Sequence, residues 1–258
     1  MWEVIESHPR TGDVLPPLSH PGPAAPCGLT RYSADQFGPE WRDNIFAALF
    51  NLHKVTRHVL TPAGGTFASR DEDFVVSNNI DFHPTDVQAD ADGSIVIVNT
   101  GGWYKLCCPT SQLWKPDILG GVYRVRRIDA KALADPRGNR IDWTKGTPET
   151  IAPLLADARP AVRERATQWL AKRGAAAVPA LTNLLKHDSP STREAAVWGL
   201  TRIDVAEARA AVRTALDDKH STVRQAALHS ISLWRDAAAT PQLLKSLETL
   251  DAANLRVA

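Results

Sequence analysis

Cysteine is scarce in this 258-residue chain, which holds only Cys27, Cys107 and Cys108. The sequence contains no Cys-x-x-Cys, no Cys-x-x-Cys-His and no paired histidine spacing, which disfavours a zinc site and a covalently attached haem. Two alternatives remain for the cysteines. They are buried thiols, or Cys27 forms a disulfide with Cys107 or Cys108, which would indicate an oxidising compartment.

The chain also lacks an excess of charge and a long apolar run. Thirty basic residues stand against 29 acidic ones, so the net charge of +1 gives no global attraction for nucleic acid or an anionic membrane. The longest apolar run, residues 45–50, is far shorter than the roughly 20 residues that span a bilayer. Residues 1–6 lack the basic and then apolar pattern of a signal peptide. We therefore expect no nucleic-acid partner, no transmembrane segment and no signal peptide in this chain.

A strand–turn–strand pattern organises the middle of the chain. The tight-turn dipeptide Asp92-Gly93 lies between two β-branched runs, residues 85–89 and 94–98, and this predicts a hairpin. A third run, residues 122–126, alternates apolar and polar side chains and predicts a half-buried strand. A long loop, residues 99–121, precedes it. This layout is typical of one blade of a β-propeller.

Upstream of this pattern, four short runs separated by turn residues predict one antiparallel sheet. The runs are residues 28–32, 44–50, 54–60 and 66–76.

After Trp143 the periodicity changes from 2 to 3.6, and a repeat of about 30 residues begins, a period typical of stacked helical arrays. An arginine recurs after an aspartate-led turn in each unit. The arginines are Arg163, Arg193 and Arg224, and the turns begin at Asp157, Asp188 and Asp218. The pattern resembles short HEAT repeats. We expect the tryptophans of these units to pack in the core rather than form a binding stripe; they are Trp169, Trp198 and Trp234.

The predicted fold class is multidomain, all-β followed by all-α. It combines a partial β-propeller of about two blades with an α-solenoid of HEAT-like repeats. The predicted divisions are a Pro-rich connector at 1–26, propeller blades at 27–130, a linker at 131–146 and helical repeats at 147–258.

Several motifs of the first half resemble a known enzyme family. Residues 26–32 (PCGLTRY), 51–57 (NLHKVTR) and 81–87 (DFHPTDV) look like the last blades of soluble quinoprotein glucose/sorbosone dehydrogenase-like propellers. More narrowly, residues 101–104 (GGWY) with 107–112 (CCPTSQ) resemble the "membrane-bound dehydrogenase" proteins of planctomycete-type bacteria. Those proteins join a propeller to HEAT-like repeats, often followed by a cytochrome c domain.

This resemblance implies that pyrroloquinoline quinone (PQQ) and calcium bind at the propeller funnel, where a sugar or alcohol is oxidised. Such chemistry needs a general base, cations that polarise the quinone and oxygen ligands for calcium. His53 is the candidate base and Asp86 the candidate calcium ligand, with a satisfied histidine and a turn cap as the structural alternatives. Trp103 and Trp114 are candidates to stack on a planar ligand or to shield the blade edge. The candidate cofactor contacts are His83, Arg57, Asn99, Trp103 and Lys115.

Two departures from the family shape the functional hypotheses. A propeller needs at least four blades to close, and about two fit before Trp143. We therefore expect a truncated piece of a longer, exported protein of the periplasm or cell envelope, or a chain whose partner completes the ring. The missing haem motif removes the family's usual electron acceptor. The sequence favours a dehydrogenase fragment, incomplete for catalysis alone, whose HEAT extension binds a protein; the alternative is a non-enzymatic scaffold that binds a protein or a glycan.

Overall fold

The computed structural model describes residues 17–102 and 115–258. Within these ranges the chain forms two antiparallel sheets followed by a stack of short helices. The described part of the chain contains no helix both long and apolar enough to cross a bilayer.

The first sheet is a four-stranded meander in which each strand pairs with the next along the chain. Its longest hairpin extends beyond the predicted strand end at residue 60 and turns at Gly64, whose φ is +57°. Pro62 is tolerated there because β2 pairs with β3 only as far as His58, which leaves that side of the strand as an edge. The strands are β1 (Pro26–Arg31), β2 (Ile45–Leu49), β3 (Lys54–Ala63) and β4 (Thr66–Val76).

The second sheet contains β5 (Pro84–Ala89), β6 (Ile95–Asn99) and β7 (Gly121–Val125), paired in that order. The predicted hairpin is confirmed, and Gly93 has the positive φ, +79°, that its turn requires. The prediction that the third run is half-buried is wrong, because β7 is an edge strand and Val122 is 71% exposed.

The two sheets share one hydrophobic core in which β1 and β2 pack against β5. Tyr32 is fully buried, and its hydroxyl donates a 2.7 Å hydrogen bond to the carbonyl oxygen of Gly93. Aromatic rings fill the space beside it, with Phe46 and Phe74 meeting edge to face at 4.8 Å between centroids.

The C-terminal part is a two-layer array of helices with its own core. α1, α2 and α4 carry a proline in their first turn, where the fixed φ of proline suits helix initiation. α2, α4, α6 and α8 pack side by side in chain order. The helices are α1 (Pro148–Ile151), α2 (Pro160–Arg173), α3 (Val178–Leu184), α4 (Pro190–Thr201), α5 (Ala206–Thr214), α6 (Ser221–Trp234), α7 (Thr240–Ser246) and α8 (Ala252–Val257).

The helical core confirms the prediction for the three tryptophans of the repeats. All of them are half-buried and pack against this core; they are Trp169, Trp198 and Trp234.

Candidate functional site

Three of the predicted site residues come together where the two sheets meet. The Nδ1 atoms of His53 and His83 donate to the backbone carbonyl oxygens of Phe82 and Gly101, each at 2.8 Å. The side-chain oxygen of Asn99 accepts from the backbone N–H groups of His83 and Gly101, at 2.7 and 3.0 Å. The two imidazole rings lie 5.3 Å apart. These bonds fix the backbone between the sheets, as the satisfied-histidine alternative predicts, and a catalytic role for His53 stays a prediction.

Arg57 belongs to a separate network within the first sheet. Its Nε donates to the side-chain oxygen of Asn44 at 2.6 Å, and its guanidinium forms a 3.1 Å ion pair with Glu72. The guanidinium also stacks 3.6 Å above the ring of Trp41. Arg57 is thus held by sheet residues rather than placed beside the two histidines.

Asp86 and Lys115 are likewise engaged by their neighbours. The Asp86 carboxylate accepts from the backbone N–H of Val87 and the amide of Gln88, both at 2.8 Å, while Lys115 Nζ lies 2.6 Å from Asp81. Calcium takes roughly six to eight oxygen ligands. Among the described residues, no group of three or more His, Cys, Asp or Glu side chains is placed to hold a metal ion. The binding of PQQ and calcium, which the family resemblance implies, stays a prediction.

The remaining site predictions fall on residues outside the described ranges. They are the stacking roles of Trp103 and Trp114 and the cysteine partners Cys107 and Cys108. Cys27 itself is exposed on β1, so the buried-thiol alternative is wrong for this position. Its disulfide with Cys107 or Cys108 stays a prediction.

A large cleft lies between the sheets and the helices, and we call it the groove. It has a volume of about 890 Å³ and is open to solvent. The end of β1 and the segment after it form one wall, and α2, α4 and the turns before them form the other. A hydrogen bond joins the two walls: the Arg163 guanidinium donates to the carbonyl oxygen of Ser33 at 3.0 Å.

The two walls of the groove differ in charge pairing. On the sheet wall, Arg31 pairs with Asp43 at 2.7 Å, and Asp90 accepts from Arg137 at 2.6 Å. On the helical wall, the carboxylates of Glu164 and Glu194 form no ion pair within the described part of the chain. The helical wall therefore carries two carboxylates without ion pairs, together with the Arg163 guanidinium, whose hydrogen bonds go to backbone carbonyl oxygens.

Trp198 lies on the helical wall beside these carboxylates. It is half-buried, lines the groove, and stacks on the imidazole of His229 on α6, with 6.4 Å between ring centroids. Trp198 thus supports the helical core on one side and offers an apolar contact to the groove on the other.

The three recurring arginines make the same type of hydrogen bond in their respective repeats. Each donates from its guanidinium to a backbone carbonyl oxygen of the turn that begins its own repeat. The bonds run from Arg163 to Asp157 at 2.7 Å, from Arg193 to Asp188 at 2.9 Å and from Arg224 to Asp218 at 2.8 Å. The recurring spacing thus serves to satisfy carbonyl oxygens that the end of the preceding helical segment leaves without partners.

In the second and third repeats the arginine makes a further bond to the segment that follows. Arg193 forms a bidentate ion pair with Asp218, with distances of 2.7 and 2.8 Å, and Arg224 pairs with Asp251 at 2.5 Å. The hydrogen bonds that Arg193 donates to Asp218 raise the pKa of Arg193. Burial alone would raise the pKa of Asp218, but its bonds to Arg193 and to the His220 backbone outweigh this and lower it.

Sequence reasoning found the arginines but missed the groove. The groove depends on contacts between segments 130 residues apart, such as Arg163 with Ser33, and no local pattern reports such contacts. The repeat tryptophans were the sequence feature closest to the groove. The prediction that they pack in the core is correct, but Trp198 also lines the groove, which was not predicted.

Comparisons with known proteins identify the helical part. Residues 147–232 and 178–258 match the family model of HEAT repeats. No curated protein matches the chain. A solved structure of the complex of CpcE and CpcF of phycocyanin lyase from Nostoc sp. PCC7120 is similar at 27% sequence identity, with a TM-score of 0.34.

That similarity covers 41% of this chain and 43% of the solved chain, so this protein spans less than half of its relative's length. The findings give no support to the dehydrogenase resemblance. The family match, the paired helices and the repeated arginine contacts agree with one another, and residues 147–258 are HEAT repeats.

Proposed function

We propose that this protein is a non-enzymatic scaffold whose groove binds an extended segment of a protein partner. The observation that supports this most directly is the groove itself, a solvent-open cleft of about 890 Å³ along the HEAT helices α2 and α4. Solenoid repeats stack into extended surfaces that are commonly used for binding.

The lining of the groove suggests what the partner segment contains. Tryptophan is enriched among the residues that dominate binding energy, and Trp198 lies among polar groups that can exclude water around it. Glu164 and Glu194 stand beside it without ion pairs in the described ranges. Complementary charge favours a segment with a basic residue at this place.

Site-specific crosslinking tests this function. A photo-activatable amino acid replaces Ala195, which lines the groove, in cells that normally make the protein. The matched control replaces Leu233, which is 70% exposed on α6 and lies outside the groove. We expect a discrete crosslinked product from Ala195 that Glu194→Lys suppresses, and none from Leu233. Equal products from both positions, or none from Ala195, would contradict the proposal.

The two sheets support a second, architectural proposal. We infer that they are neighbouring blades of a β-propeller, since each is a meander in chain order and they pack through their first strands, β1 and β5. The exposed strand β7 would then face a further blade, supplied by additional chain or by a partner. A longer protein of this kind would be exported, which cell fractionation tests.

A dehydrogenase function would need PQQ and calcium, and no group of three or more His, Cys, Asp or Glu side chains among the described residues is placed to hold the metal ion. We therefore expect calorimetry to detect neither ligand binding to the 258-residue chain. Binding by this chain, or by a form extended with upstream coding sequence, would favour oxidation of a sugar or alcohol over the scaffold function.

A further inference from the structure

Another cavity lies where the tip of the β3–β4 hairpin meets α6 and α8, and we call it the hairpin pocket. It has a volume of about 450 Å³ and is open to solvent. The Arg256 guanidinium on α8 donates a 2.7 Å hydrogen bond to the carbonyl oxygen of Gly65 and so joins the hairpin to the helices. The side chains that line the pocket include Phe67, Gln225, His229, Ser232, Arg256 and Val257.

The hairpin pocket continues the surface that lines the groove. The residue that follows the repeat arginine is Glu164 in the first repeat, Glu194 in the second and Gln225 in the third. The two glutamates line the groove and Gln225 lines the hairpin pocket, so the same helical position faces the cavities in consecutive repeats. The ring of Trp198 in the groove also stacks on His229 in the hairpin pocket.

The hairpin pocket differs from the groove in its charged groups. Among the described residues, no Asp or Glu lines it, and Arg256 forms no ion pair there. Asp251 at the start of α8 is engaged by Arg224 instead. The Gln225 amide and the Ser232 hydroxyl also face the pocket, and their side chains bond to no other described residue. A cation beside uncharged hydrogen-bond donors, with no acidic group among them, suits a carboxylate.

We propose that the hairpin pocket binds a carboxylate of the same partner segment whose basic residue lies beside Glu194 in the groove. Arg256 supplies the charge, and the half-exposed ring of Phe67 supplies an apolar contact beside it. This inference rests on the proposed function, because it specifies the partner that the groove binds.

The repeat geometry gives the separation of the two charges in the partner. Glu194 lies on α4 and Arg256 on α8, two helices further along the array. Packed helices lie about 8–10 Å apart, so two steps cover about 16–20 Å. An extended chain spans about 3.3–3.6 Å per residue. The basic residue and the carboxylate should therefore be about five or six residues apart.

Selection from random peptide libraries tests the hairpin pocket with the full chain and without a known partner. The synthetic peptides are long enough to span both cavities, and one library has free C-termini while the other has amidated C-termini. We expect enriched peptides to combine a basic residue with an Asp or Glu about five or six residues away. Enrichment in both libraries would identify a side-chain carboxylate, and enrichment only with free C-termini would identify the terminal one.

Variants at Arg256 separate its charge from its contact with the hairpin. A selected peptide should bind Arg256→Gln about two- to fivefold more weakly, the range for one exposed charge pair. A selection repeated on Arg256→Glu should replace the acidic residue by a basic one, which loss of the bond to Gly65 does not explain. The matched control is Arg140→Gln, an exposed arginine outside both cavities, which should leave the selected peptides unchanged.

The failure of this inference is distinguishable from failure of the proposed function. Peptides that keep a basic residue dependent on Glu194, but carry no carboxylate dependent on Arg256, would overturn the hairpin pocket and leave the groove function standing. The same acidic residues selected by the wild type and by Arg256→Glu would overturn it too. If no selected peptide depends on Glu194, the groove function fails, and with it the pairing of the two sites on one segment.

Discussion

At the scale of single residues, the pair of Arg193 and Asp218 carries the connection between consecutive repeats. Their side chains are only 4% and 11% exposed, and the geometry is bidentate. Removing one partner from such a pair leaves a buried charge without compensation, which costs far more than the pair itself contributes.

We therefore predict that Asp218→Asn lowers the free energy of unfolding by about 3 kcal/mol or more. Asp204→Asn is the control, because Asp204 pairs with Arg209 while 73% exposed, and its loss should cost only about 0–1 kcal/mol. Urea unfolding followed by circular dichroism measures both. Equal losses in the two variants would argue against the structural role of the buried pair.

The same pair predicts a pH dependence. Because the folded protein lowers the pKa of Asp218, its stabilisation is present above the ordinary aspartate value of about 4 and is lost as pH falls through the lowered value. The stability difference between wild type and Asp218→Asn should thus shrink in acid. Urea titrations repeated from neutral to acidic pH measure it, and a difference that does not change with pH would contradict the assignment.

Tyr32 gives a second residue-scale prediction. Burial raises its pKa to about 12, so the fold resists its ionisation and loses stability as pH rises above the ordinary tyrosine value of about 10. Tyrosinate absorbance should show a late step near pH 12 that Tyr32→Phe removes and that Tyr123→Phe, at an exposed position, retains. A late step that persists in Tyr32→Phe would sink this assignment.

At the scale of elements, the two sheets approach each other closely at Gly28 on β1. A Cβ atom there would lie 2.8 Å from the backbone nitrogen of Val87 and closer still to Asp86. A side chain at this position would therefore separate β1 from β5.

Gly28→Ala should accordingly destabilise the sheets by about 1–3 kcal/mol or more, through overpacking against a backbone that has no room to move. Gly121→Ala is the matched control on β7, where the added Cβ would meet Tyr123 at an ordinary 3.5 Å. Because the sheets and the helices have separate cores, thermal unfolding should show the loss in the sheet transition alone. An unchanged sheet transition would disprove the close contact.

Local patterns predicted the elements well, and the reason is physical. The run at residues 66–76 was predicted at its observed bounds because two-residue turns and alternation are short-range signals. The extension of β3 through Pro62 was not predicted. Proline is accommodated there because β2 pairs with β3 only as far as His58, and this long-range pairing has no local sequence signal. The helical repeats were predicted because identical turns recur at a fixed spacing.

The candidate site was harder to predict from the sequence. His53, His83 and Asn99 were singled out as possible catalytic or cofactor groups, and they do lie together, but their bonds go to the backbone. A polar side chain that joins two sheets has the same local sequence signal as one that faces a ligand. Long-range packing decides whether such a side chain joins the sheets or faces a ligand.

At the scale of the whole molecule, hydrogen bonds from two HEAT helices reach the sheet region. Arg163 bonds to Ser33 near the start of the array, and Arg256 on α8 donates to Gly65 at the tip of the β3–β4 hairpin, at 2.7 Å. These bonds join the two parts of the chain, and residues of both parts line the groove, so the groove is a property of the assembled chain rather than of either part.

The central claim is that this groove binds a protein partner, and the affinity of the partner captured at Ala195 tests it most directly. Calorimetry would compare the wild type with Trp198→Ala, with Glu194→Lys and with Leu233→Ala as the control outside the groove. We predict that Trp198→Ala weakens binding about 30-fold, the effect of losing a dominant interface residue of about 2 kcal/mol, and that Glu194→Lys weakens it too while Leu233→Ala does not. Unchanged affinity in both Trp198→Ala and Glu194→Lys, each shown to be folded, would contradict the account.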